Sequence, residues 1–178
     1  MKRIVLTFGL ISGAVISLVM LATLPFIDRI GFDHGMVIGY TTMVLSFLFV
    51  FFGIRSYREN VGGGQITFGR ALGVGLLIML ICCICYVITW EIIYFNFLPE
   101  FADKYAAHII EKARASGAPA EEIAKQVDEM KRFKSLYNNI FFNVAMTFLE
   151  PLPVGLVMTF ISAVILRRRR RDSPDLQN

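Results

Sequence analysis

The chain has 178 residues, 56% of them hydrophobic and 18% charged, with a formal net charge of +4. That length leaves room for one domain, and an apolar excess gathered into blocks excludes an ordinary water-soluble globule. The charge is concentrated, since Arg167, Arg168, Arg169, Arg170 and Arg171 alone outweigh the net value.

Four apolar blocks run Ile4–Ile27, Met36–Ile54, Ala71–Phe95 and Ile140–Leu166. Each reaches the roughly 20 residues that a helix needs to cross about 30 Å of hydrocarbon. The predicted fold is therefore an all-α integral membrane protein. It has four transmembrane helices in a bundle and a helical hairpin between helices three and four. The membrane domain covers residues 1–170 with an outer insertion at 96–139, and 171–178 form a short disordered cytoplasmic tail.

The first block exceeds the apolar run of a secretory signal, and Met20 before Ala22 makes a poor cleavage site, so it reads as a retained helix. Gly9, Gly13 and Ser17 recur every four residues, a row of small side chains that lets a neighbouring helix approach closely. Packing inside the bundle is the expected use, and self-association the alternative.

Lys2 and Arg3 precede block one, Arg55, Arg58 and Arg70 separate blocks two and three, and the five arginines follow block four. Basic residues beside short loops stay cytoplasmic, which places both termini inside. The arginine run after a span reads as a stop-transfer anchor touching anionic lipid heads rather than as a nucleic-acid site.

Between blocks two and three, Gly62, Gly63 and Gly64 predict a flexible turn, and Thr67 is placed to cap the next helix. The glycine spacing there lacks the lysine and hydroxyl residue of a phosphate-binding loop. Block three carries Cys82, Cys83 and Cys85 at its centre, which read as core side chains because a closed metal site needs four ligands. No cofactor is expected.

The insertion shows Phe101, Tyr105 and Ile109 on one helical face and Ile123, Val127, Met130 and Tyr137 on another, with Ser116-Gly117-Ala118-Pro119 between them. Glu121 with Lys125 and Asp128 with Arg132 are acid-first pairs four apart. The second helix is expected to continue into block four. His34 and His108, one in each outer loop, read as surface residues.

Two carboxylates fall within the blocks. Glu91 lies near the outer boundary of span three and Glu150 in the outer third of span four. An ionisable residue inside a membrane is a functional candidate because its burial is costly. Together the two acids form a candidate polar site for a cation or proton. The setting Glu150-Pro151-Leu152-Pro153 predicts a kink, because prolines lack the N–H groups that would pair with the carbonyls of Thr147 and Leu149.

Three short stretches carry a family likeness. They are Gly63-Gly64-Gln65-Ile66-Thr67-Phe68-Gly69-Arg70-Ala71 with Gly75, then Trp90 with Tyr94, then Glu150-Pro151-Leu152-Pro153-Val154-Gly155 followed by Ile161-Ser162-Ala163 and the basic end. Together they resemble the bacterial membrane proteins of the domain-of-unknown-function family 4199. The resemblance implies a four-helix bacterial membrane protein with an outer helical segment, and no activity.

No nucleophile–base pair is present, so an enzyme is not expected. The first expectation is an accessory or scaffold protein of the bacterial inner membrane. It would bind a membrane-protein partner, or a second copy of itself, through the outer segment. The alternative is a small oligomeric transporter or ion-binding protein using Glu91 and Glu150.

Overall fold

The computed structural model describes residues 1–168, so Arg169, Arg170, Arg171 and the expected tail lie outside the described residues. Among the described residues seven helices follow one another: α1 Lys2–Thr23, α2 Ile27–Asn60, α3 Phe68–Phe97, α4 Phe101–Ala115, α5 Ala120–Tyr137, α6 Ile140–Leu149 and α7 Leu152–Leu166. A 3-10 turn, Leu24–Phe26, links α1 to α2. Among the described residues the remaining regular pairing is one antiparallel bridge, Ile66 with Arg168.

Among the described residues three helical segments are long and apolar enough to cross a membrane: Lys2–Asn60, Phe68–Phe97 and Ile140–Leu166. The first contains both α1 and α2. α2 bends at Gly31, whose φ of 68° and ψ of 172° lie outside the helical region. A side chain resists that positive φ, and glycine accepts it. Helix therefore begins earlier than the expected second block, at Phe32 rather than Met36.

α1 packs on α2 and α3, and α7 packs on α2 and α3 as well. The row of small residues faces α3. A methyl added at Gly9 would lie 2.8 Å from Ile81 Cβ, and one at Gly13 would lie 2.6 Å from Cys85 Cβ. Ser17 Oγ is 2.7 Å from Thr89 Oγ1. Residues 9, 13 and 17 thus meet 81, 85 and 89, four-residue spacing against four-residue spacing. The same close approach recurs at α7, where a methyl on Gly155 would lie 2.6 Å from Met79 Cγ and 2.9 Å from Phe47 Cζ. Cys82 and Cys83 are fully buried in this core.

The two ends of the bundle differ. At the basic end, the turn after α2 is a defined structure rather than a flexible one. Gly62 N–H donates to Tyr57 O at 3.0 Å and Gly64 N–H to Arg58 O at 2.9 Å. Gly63 and Gly64 take φ of 59° and 84°, and there glycine is required. Ile66 and Arg168 exchange both backbone hydrogen bonds, at 3.1 and 2.9 Å. Thr67 holds the N-cap position of α3, but its side chain makes no capping bond.

The other end carries α4 and α5, which pack on each other. α4 stops at Ser116, and Gly117 follows with φ of 73°. The expected continuity of α5 into the last apolar block fails. Asn138 ends α5, and Asn139 adopts extended φ and ψ. The Asn139 side chain accepts from Phe141 N–H at 3.0 Å and Phe142 N–H at 3.4 Å, a capped new start. The surface pairs on α5 also differ from expectation: Lys125 sits 3.9 Å from Glu129, and Lys131 3.4 Å from Asp128.

Candidate functional site

Sequence places Pro151 where the α-helix must release the Thr147 carbonyl. In the structure α6 ends at Leu149 and α7 begins at Leu152, with Pro151 φ −77° and ψ −15°. Pro153 lies in the first turn of α7, where a missing N–H costs nothing. Glu150 sits in this break. Its Oε2 accepts from the Tyr86 hydroxyl at 2.7 Å. Tyr86 is buried in the core, and four residues on, Trp90 occupies the same side of α3.

Glu150 and Tyr86 stand at the base of an open cavity of about 800 Å³. Its walls come from the start of α2, the ends of α3 and α5, the first turns of α4, and α6. Phe32, Tyr40, Trp90, Phe101, Tyr105 and Tyr137 supply much of the surface. Volumes of roughly 300–1,000 Å³, mostly apolar with a few convergent polar groups, are typical of small-ligand sites.

The walls are braced by polar contacts that the apolar blocks do not announce. Trp90 Nε1–H donates to Tyr137 Oη at 2.9 Å, and the Tyr94 hydroxyl donates to Asn138 Oδ1 at 2.7 Å. The Trp90 and Phe101 rings meet edge to face with centroids 4.9 Å apart. Buried Asn143 donates through Nδ2 to Tyr137 O at 3.1 Å and accepts from Thr147 Oγ1 at 3.1 Å.

α4 is fastened to the start of α2. The Phe32 ring lies 5.6 Å from Phe101, 5.6 Å from Tyr105 and 5.1 Å from His108, centroid to centroid. Lys104 Nζ reaches Asp28 at 3.0 Å, and Lys112 Nζ reaches Asp33 at 2.9 Å. His108 is thus a contact between helices, with Nε2 3.6 Å from Asp33. The hydrogen bond and charge of Lys112, helped by His108, hold the Asp33 carboxyl below the usual carboxylate range. Asp103 pairs with Lys134, tying α4 to α5.

Glu91 does not join Glu150. It lies five residues past Tyr86, turned by about 140° around α3 at 100° per residue. It is absent from the cavity lining. Both its carboxylate oxygens are buried and find no hydrogen-bond partner among the described residues. The expected two-acid site is therefore not assembled; Glu150 pairs with Tyr86 instead. The spacing of Tyr86 and Trp90 was the available signal for this face, but their partners lie 47 or more residues away in sequence.

Below Glu150 the bundle is closed by Phe47 and Met79 against Gly155. The residues joining the helices at the basic end, Arg58 and Leu166 among them, are linked by an Arg58 Nη1 contact of 3.5 Å to Leu166 O. Arg167 and Arg168 follow directly.

Outside the cavity, α4 and α5 present a polar surface. From Leu98 to Tyr137, Leu136 is the one large apolar side chain exposed, at 49%. The long helices are the reverse, with Leu18, Val37, Phe52, Ile88, Val157 and Ile165 all exposed.

A family model described as "Protein of unknown function (DUF4199)" matches residues 7–168. No curated protein and no solved structure matches the chain.

Proposed function

The chain belongs to the DUF4199 family, and from that footing we propose a four-span membrane protein that binds a small ligand, without catalysis, at the end covered by α4 and α5. α1 has 22 residues and rises about 33 Å, enough for one crossing. α2, beyond its bend, supplies a second, α3 a third, and α6 with α7 a fourth. The distribution of Lys and Arg supports termini on the cytoplasmic side of a bacterial inner membrane, with α4 and α5 forming a hairpin outside. Arg167 and Arg168 then stand at the level of anionic lipid heads.

The observation that carries the binding reading is the cavity itself, with Glu150 held at its base by Tyr86. A scaffold role through the outer segment has less support. A docking surface needs an apolar centre, and the hairpin turns its apolar residues inward. A conduit also has less support, since the packing around Gly155 ends the cavity at Glu150.

Cysteine labelling in intact cells tests the reading. Met146 lines the cavity and is 41% exposed; Val61 lies in the turn at the basic end and is 52% exposed. A membrane-impermeant maleimide is expected to modify Met146→Cys from outside, and Val61→Cys only after the membrane is opened. A protected Met146→Cys, or a Val61→Cys labelled in intact cells, refutes it.

A further inference from the structure

The charges and walls of the cavity narrow what it can hold. Nine of its 21 lining residues are aromatic, and ring faces attract cations. Four lining residues are charged: Asp28, Glu100, Lys104 and Glu150. Lys104 and Asp28 are 3.0 Å apart and offset one another. What remains is Glu100 toward the mouth and Glu150 at the base, both acidic. Among the described residues no basic side chain forms an ion pair with Glu150. Tyr86 satisfies one of its oxygens, and the acidic lining set among low-dielectric ring walls favours a cation in the cavity.

We infer that the cavity takes an organic cation, an ammonium group on an apolar body, with its charge against Glu150 and its body along Trp90, Phe101 and Tyr105. This rests on the ligand-binding reading above. A bare metal ion suits the site less. A hard cation such as calcium takes roughly six to eight oxygen ligands, and most of this wall is ring carbon.

Trp90 is the one tryptophan of the chain and lines the cavity, so its emission reports occupancy. The full chain in phosphatidylglycerol nanodiscs is titrated with benzyltrimethylammonium and with neopentylbenzene, its uncharged carbon counterpart, compared at equal free concentration. The ammonium is expected to give a saturating change and to bind at least about tenfold tighter. Glu150→Gln keeps an acceptor for Tyr86 and is expected to erase that preference. If this variant does not fold, Glu100→Gln serves, with a smaller expected loss of about threefold.

Equal binding of the two probes, or an unchanged preference in the variant, overturns the inference and leaves the ligand-binding reading standing. A saturating response to neither probe overturns both. Phosphatidylethanolamine added to the discs separates two sources of the ammonium group. A rightward shift of the benzyltrimethylammonium curve identifies a lipid head as the occupant, and an unshifted curve identifies a solute; the inference holds in each case.

Discussion

Trp90 Nε1–H donates to the hydroxyl of Tyr137 at 2.9 Å, joining the last turns of α3 and α5. The Tyr137 ring also stacks on Phe133, centroids 4.9 Å apart. This bond is one of the ties that seat α5 over the bundle, beside the Tyr94–Asn138 bond. Trp90→Phe keeps most of the apolar contact and removes the donor, which costs about 1–2 kcal/mol. Hydrogen exchange should quicken across residues 101–137 and stay slow in the core of α2 and α7. Uniform acceleration through the chain would contradict a local role.

Two glycines two residues apart should behave oppositely. A methyl at Gly75 would lie 2.7 Å from Thr159 Cγ2, 3.0 Å from Ile54 Cδ1 and 3.1 Å from Val50 Cγ1. Gly75→Ala is therefore expected to destabilise by about 1–3 kcal/mol through overpacking. At Gly73 nothing lies within 4 Å, and Ala there should be neutral or stabilising by about 0.5–1 kcal/mol. Thermal melts of the two variants in one detergent decide it, and equal melting temperatures would sink the packing account.

The attachment of α4 to α2 should be acid-sensitive. Asp33 is held below its ordinary range by Lys112 and His108. A carboxyl depressed in the folded chain adds stability that is complete above its unfolded value of about 3.9 and vanishes as pH falls through the lower folded value. Protection of α4, with exchange corrected for its intrinsic pH dependence, should thus be flat from neutral pH to about pH 4 and fall below it. Asp33→Asn should weaken the attachment at neutral pH and remove the acid-dependent step. A step that persists in Asp33→Asn assigns it to another group.

Thr159 is fully buried and its hydroxyl has no partner among the described residues. Thr159→Val keeps the shape and removes the orphaned oxygen, so stability should hold or rise by about 1 kcal/mol. A loss of more than about 1 kcal/mol would show that the hydroxyl has a partner after all.

How far the chain could be read from its residues depended on the range of the cause. The long apolar helices follow from local composition, and the spacing of Gly9, Gly13 and Ser17 needs nothing beyond one helix. Pro151 interrupts helix by its own covalent structure. The break at Asn139 was missed although its signal was local, a side-chain acceptor directly before an apolar run; helical patterning on both sides masked it. The pairing of Glu91 with Glu150 was expected from depth alone. Depth sets height along a helix and says nothing about rotation, and rotation turned Glu91 away. The cavity could not be foreseen, because it forms only when α4 meets Phe32 and Asp33, more than 65 residues earlier in the chain.

At the opposite end, Ile66 and Arg168 trade both of their backbone hydrogen bonds. The partners are about a hundred residues apart, and one follows the final helix. During synthesis the loop after α2 must therefore wait, its polar groups facing water, until α7 and Arg168 have emerged. The bundle closes like a clasp whose second half is made about a hundred residues after the first. A chain stopped at Leu166 would retain every apolar helix and still lack that closure, so its insertion and its locking should be separable events.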